Sequence, residues 1–161
     1  MKNIWPLIAI MILIVSCSPE PNSSQAKPEA DKDLSYDSLL AAELGADDYG
    51  MRKYVMANLV AGPNRDQDST TVAQLQRAHL DNIMKMAEAG KLVLAGPFMD
   101  QGEVKGIYIF AVETVEEAEA LTKTDPAIQA GRLKMELRPW YGSAALMKVN
   151  EIGLKLSKKS I

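Results

Sequence analysis

Gly106-Ile107-Tyr108-Ile109-Phe110-Ala111-Val112 is the stretch that decides the fold. Its aromatic and β-branched residues suit a pleated surface, and it is apolar on both of the faces to which a strand's side chains alternate. Such a strand lies inside a sheet with cover on either side. Just beyond it, Thr114 and Glu117 have capping-box spacing and open a helix with apolar positions Val115, Ala118 and Leu121, stopped at Asp125-Pro126. Leu133, Met135 and Leu137 then alternate with Lys134, Glu136 and Arg138 ahead of Pro139 and Trp140, the pattern of a half-buried strand. Upstream, Leu92 to Ala95 is a short apolar run ended by Gly96-Pro97. Before it, Ser69, Thr70 and Thr71 supply N-cap candidates for a long helix ending near Gly90, with Thr71 and Gln74 spaced as a capping box. Lys53 to Ala61, rich in Val, Tyr and Met and stopped at Gly62-Pro63-Asn64, makes the first strand.

The order strand, helix, strand, strand, helix, strand predicts an α+β chain of ferredoxin-like βαββαβ type. Right-handed crossovers put both helices on one face of a four-stranded antiparallel sheet and leave the other face bare. Yet the first strand offers Tyr54, Met56 and Val60 one way and Val55, Ala57 and Leu59 the other, so the bare face is apolar too. A second copy of the same sheet is the simplest lid, which predicts a two-fold homodimer with the sheets face to face. The alternative lid is a short helix over residues 36–44, where Leu39, Leu40 and Leu44 recur at helical spacing before Gly45.

Composition narrows the function classes. The chain has 161 residues, 47% hydrophobic and 24% charged, with a formal net charge of -3. That balance excludes a disordered chain or a polytopic membrane protein and fits one modest domain. Nucleic acid is not an expected partner, because phosphate binding needs clustered Lys and Arg, and Lys155 to Lys159 has the look of a solvated tail. With one Cys and one His, no intramolecular disulfide forms and a Cys/His zinc site lacks ligands. There is no phosphate loop, dinucleotide fingerprint or clustered Met/His copper motif, so no cofactor and no metal are implied.

The ends of the chain carry other signals. Lys2 and the apolar stretch Ile4 to Val15 form a leader too short to cross ~30 Å of hydrocarbon at ~1.5 Å per residue. Ile14-Val15-Ser16-Cys17 resembles the bacterial lipobox, which implies a signal over residues 1–16, lipidation of Cys17 and a membrane-anchored mature chain in the cell envelope. Ser18 stands where Asp is associated with inner-membrane retention, so the same resemblance points to the outer membrane. Residues 17–35 hold Pro19, Pro21 and Pro28 and no stripe of large apolar residues, a tether rather than a domain. Residues 36–50 are expected to form the short helix and a turn, residues 51–141 the domain, and residues 142–161 a C-terminal extension.

Chemistry gathers around few side chains. His79 shares a helical face with Val72, Leu75, Ile83 and Met86, so it points between helix and sheet, where an imidazole serves either as a satisfied core residue or as a proton carrier. The two helices run antiparallel, which brings Asp125 near the first half of the helix bearing His79. A carboxylate there can fix the ring's tautomer and stabilise imidazolium, or can simply end its helix. No Ser or Cys is marked as a nucleophile, so proton transfer next to a carbonyl, leading to isomerisation or elimination, is the expected reaction. Arg65, in the loop after the first strand, is a candidate anion-binding residue or a solvated one. Asn58, polar inside an apolar strand, either faces the pocket or pairs locally. Trp140 and Tyr141 either line a cleft or seal an edge of the core or dimer.

His79, Ala89-Gly90, Leu94-Ala95-Gly96-Pro97, Gly106, the helix start Thr114 to Ala118, Asp125-Pro126 and Leu137 to Trp140, in this order and spacing, resemble the YCII-related domain, a branch of the dimeric α+β barrel superfamily. The resemblance covers roughly Met51 to Tyr141. It implies a ferredoxin-like subunit, a barrel-like dimer, and a cleft whose His and Asp, matched here by His79 and Asp125, are proposed as catalytic. Some members are linked to halide elimination from chlorinated ring-cleavage products, and distant relatives isomerise lactones or bind haem. The lipobox, tether and short helix before Met51 depart from the small members. Two functions follow as expectations: an anchored enzyme acting on a small carbonyl or carboxylate compound, or a non-catalytic dimeric lipoprotein binding a small ligand or an envelope partner.

Overall fold

The computed structural model describes residues 35–159, and every element below belongs to the unit that begins at Tyr36. The leader, Cys17 and the tether as far as residue 34 lie outside the described residues.

Helix α1 (Ser38–Leu44) starts at Asp37, whose carboxylate accepts from the amides of Leu39 and Leu40, and ends on Gly45 at φ 66°, a left-handed cap that needs no Cβ. Strand β1 (Met51–Ala61) leads to helix α2 (Ser69–Glu88), then to β2 (Leu92–Pro97) and β3 (Val104–Phe110). Helix α3 (Val115–Thr122), a short α4 (Pro126–Gln129) and β4 (Leu133–Ser143) complete the domain. The sheet order is β2-β3-β1-β4 with every pairing antiparallel, the ferredoxin-like arrangement the sequence predicts. Met86 of α2 and Ala118 of α3 enter one buried cluster with Val55, Ala57, Leu59, Tyr108 and Phe110, so both helices cover the same face. Each large side chain buried there contributes about 1.5–3 kcal/mol.

Local chemistry differs from expectation at three points. The cap of α2 is Asp68, not one of the hydroxyl residues after it. Its carboxylate accepts from the amides of Thr70 and Thr71 and from the Thr71 hydroxyl at 2.7 Å, which is the better acceptor winning the N-terminus. Asp125-Pro126 stops α3 but also starts α4, with Asp125 as its cap and Pro126 in the first turn, where a missing N–H costs nothing. Strand β4 runs through Pro139, which sits opposite Val55; β4 is an edge strand, so a residue without an N–H is tolerated.

The expected bare face is corrected in part. The C-terminal extension turns back as a 3-10 segment (Ala144–Lys148) followed by helix α5 (Val149–Leu156). Leu146 and Met147 pack on a second buried cluster of Tyr54, Val93 and Ile109, flanked by Trp140. Asn150 Nδ2 donates to the Leu92 carbonyl at 2.7 Å, and the Tyr54 hydroxyl donates to the Ser143 carbonyl at 2.9 Å. Helix α1 is not the lid. It braces the 3-10 segment through the Lys148–Glu43 ion pair at 2.7 Å, with Leu39 and Leu40 exposed. The lid is local to one end of the sheet. At the other end Met56, Asn58 and Ile107 remain half-buried beside Phe98, which is 48% exposed.

Candidate active site

His79 projects from the middle of α2 toward the sheet and is 7% exposed; Asp125 is fully buried. Their contact is a single short bond, His79 Nδ1 to Asp125 Oδ2 at 2.5 Å. The other carboxylate oxygen, Oδ1, accepts from the Ala127 amide at 2.8 Å, so capping α4 fixes the carboxylate that meets the imidazole. An ionised carboxylate only accepts, so a hydrogen shared by the two residues sits on Nδ1, and Nε2 is the ring nitrogen turned away from Asp125.

A third side chain completes the cluster. The Tyr108 hydroxyl lies 3.3 Å from His79 Nε2, and the two rings stack with centroids 6.2 Å apart at 20°. Tyr108 is 2% exposed and meets Phe110 edge-on at 5.7 Å. Burial pushes its phenol well above the ordinary tyrosine range, and the Asp125 charge pushes the same way. Tyr108 therefore holds its hydroxyl proton more firmly than an ordinary tyrosine and keeps it for hydrogen bonding.

One helical turn beyond His79, the Oδ1 of buried Asn82 lies 3.0 Å from the Thr124 hydroxyl, which also meets the Leu121 carbonyl at 2.7 Å, its one hydrogen serving the two acceptors. That contact joins the residue next to Asp125 to the helix that carries His79. Asn82, Thr124 and Tyr108 are not among the site residues expected from the sequence, where Tyr108 reads only as part of an apolar strand. The signal for Asn82 was present in its i, i+3 relation to His79.

His79 and Tyr108 open on a cavity of about 250 Å³ between α2 and one end of the sheet. Leu59, Leu80, Ile83, Met84 and Pro97 give it apolar walls, with Gln76 and Lys105 also on its lining. Gly96 and Gly106 line it where β2 and β3 come close: a Cβ on Gly106 would stand 2.5 Å from the Gly96 carbonyl oxygen. An apolar space with one polar end suits a small, mainly apolar molecule carrying a polar group.

The other candidates lie elsewhere. Arg65 is exposed, and its Nη1 donates to the Arg132 carbonyl at 3.0 Å. Asn58 sits on the opposite face of the sheet, between Ile107 and Glu136 in register, and lines a shallow groove with Met56 and Phe98. Trp140 packs on Tyr54 at 5.7 Å and seals the second cluster. Among the described residues no group of His, Cys, Asp and Glu could hold a metal ion, and no helix is long and apolar enough to cross a membrane.

A solved structure of 5-chloro-2-hydroxyhydroquinone dehydrochlorinase from Burkholderia phenoliruptrix AC1100, in complex with 2,5-dihydroxybenzoquinone, superposes with a TM-score of 0.41 at 16% identity, over 55% of this chain and 93% of that one. No curated protein matches. The model of the YCII-related domain matches residues 56–141, more than half of the chain and the whole span from mid-β1 to late β4 that holds His79, Tyr108 and Asp125. The protein thus belongs to the YCII-related domain family.

Proposed function

We propose that this protein binds a small carbonyl compound in the helix–sheet cavity and moves a proton through His79, with Asp125 holding the ring. The observation that supports this is the buried Nδ1–Oδ2 bond of 2.5 Å behind an imidazole that lines the cavity. A neutral Nε2 takes the proton from the carbon next to the carbonyl, and the imidazolium so formed is balanced by the buried carboxylate. Return of that proton to another carbon is isomerisation, and loss of a leaving group from the next carbon is elimination. Arg65 and Asn58 take no part in this reading.

The protein acts in the cell envelope, held by lipid on Cys17, and pairs as a homodimer through the end of the sheet face that the 3-10 segment leaves uncovered. Half-buried Met56 and Ile107 beside Phe98 favour that end.

Deuterium uptake at the α-carbon of a panel of small cyclic ketones and lactones in heavy water, followed by NMR, tests the reaction without knowledge of the natural substrate. The full chain should accelerate exchange in part of the panel, and His79→Gln should lower that rate about 100-fold or more with the fold retained. Exchange equal in both would leave the domain a binding protein.

A further inference from the structure

We propose that the Tyr108 hydroxyl is the oxygen-binding group of the cavity: its hydrogen rests on Nε2 of His79 and turns onto the oxygen of a bound carbonyl compound, freeing the lone pair of the nitrogen that takes the proton. This rests on the proton-transfer reading and adds the atom that meets the substrate oxygen, and with it the class of substrate, a compact enolisable carbonyl compound with an apolar body.

In the tautomer whose Nδ1–H donates to Asp125 Oδ2, Nε2 carries the lone pair, and the Tyr108 hydroxyl lies against it. The separation of 3.3 Å is long against the ~2.7–3.2 Å of ordinary protein hydrogen bonds, so little is lost when the donor leaves. Rotation about the phenol C–O bond redirects the proton with no movement of a heavy atom. The oxygen itself is held in place, because the ring is clamped between His79 and Phe110. A donor fixed before the reaction, in an apolar cavity, is the arrangement that best stabilises an oxygen as it gains charge.

The step balances within the site. The α C–H bond breaks, its proton forms the new N–H bond at Nε2, and its electron pair moves through the forming C=C bond onto the carbonyl oxygen. Tyr108 donates a hydrogen bond to that oxygen and keeps its proton, as the raised affinity of its buried phenol for a proton requires. The enolate then takes the proton back at another carbon or expels a leaving group with its electron pair.

The cavity volume sets the probe. Cavities of ~150 Å³ take up benzene, so about 250 Å³ admits one substituted ring. Binding of 4-nitrophenolate, which mimics an enolate oxygen, is compared with binding of 4-nitrotoluene, which has nearly the same shape and the same nitro group but a methyl group in place of the phenolate acceptor. The full chain should prefer the phenolate by about 10- to 100-fold, the range of a hydrogen bond to a charged acceptor. Tyr108→Phe should abolish the preference and leave 4-nitrotoluene binding within about twofold. Equal losses for both probes, a preference that survives the substitution, or no preference in the unmodified chain would overturn the proposal.

A second measurement needs no variant. His79 is the one histidine of the chain, so its ¹⁵N resonances are assigned without ambiguity. The Nε2 resonance should move when the phenolate draws the hydroxyl away and stay fixed with 4-nitrotoluene; an Nε2 resonance indifferent to the phenolate also overturns the proposal. Absence of His79-dependent deuterium exchange, with the phenolate preference intact, removes the base and leaves Tyr108 as the oxygen site. Exchange that is unchanged in Tyr108→Phe removes Tyr108 alone.

Discussion

Asp125 grips His79 from a position 46 residues further along the chain, and it does so with the carboxylate that also starts a helix. One oxygen is spent on the Ala127 amide, so the other has a fixed direction, and the imidazole inherits that direction. One side chain both caps a helix and orients a ring.

That double duty separates two substitutions. Asp125→Asn retains an oxygen for the α4 cap but presents a neutral amide to Nδ1, so the domain should lose about 1–3 kcal/mol and α4 should remain. Asp125→Ala removes the cap as well and should cost about 1 kcal/mol more. Urea unfolding of the two variants measures the difference, and the His79 ¹⁵N shifts should show loss of the Nδ1–H tautomer in both.

Thr124→Val tests the contact beside Asp125. It removes the hydroxyl that lies 3.0 Å from Asn82 Oδ1 and 2.7 Å from the Leu121 carbonyl, and the expected loss is about 0.5–1.5 kcal/mol of stability. Deuterium exchange should slow while binding of 4-nitrotoluene is kept, because the cavity is lined by other residues.

Gly106→Ala should be among the most damaging changes to the sheet. The added Cβ meets backbone, the Gly96 carbonyl oxygen at 2.5 Å, and backbone cannot rotate away. Strands β2 and β3 must part at the cavity end, at about 1–3 kcal/mol, and probe binding should fall with stability. Thermal unfolding in the presence and absence of 4-nitrophenol reads both.

Alkali should act through Tyr108. Its phenol is held well above the ordinary value in the folded state by burial and by Asp125, whereas in the unfolded chain it ionises near ~10. The unfolded state therefore loses a proton that the folded state keeps, and stability present below that pH is lost as pH rises through it. Tyr108→Phe should flatten the alkaline limb of the stability curve, and phenolate absorbance should show no Tyr108 ionisation before unfolding.

Removal of residues 144–161 should bare Tyr54, Val93 and Ile109, which Leu146 and Met147 now cover. The expected result is self-association that rises with concentration, seen by sedimentation velocity, beyond that of the unshortened chain. A truncated chain that behaves as the full one would show that the 3-10 segment and α5 are not needed as a lid.

Much of the fold was legible because its signals are local. Alternation in Leu133 to Leu137, the apolar run at Ile107 to Val112, the Thr114–Glu117 cap and the Gly45 cap each depend on neighbours a few residues away, and the order of these elements restricts the topology to a handful. His79 was legible as a polar group on an apolar stripe, and Asp125 as its partner once the two helices were laid antiparallel. Asp68 was missed because a hydroxyl run drew attention from the stronger acceptor before it.

Tertiary structure alone decided the rest, and register is the reason. In sequence Tyr54 and Tyr108 are both aromatics inside apolar strands. Pairing of Ala57 with Tyr108 puts Tyr108 on the helix side against His79, while pairing of Tyr54 with Trp140 puts Tyr54 on the far side under the C-terminal segment. Asn58 went to the far face by the same parity, away from the site. Period-two alternation says that neighbours in a strand face opposite ways; which way is toward the helices is settled only when the sheet is assembled and its two sides are filled by different parts of the chain.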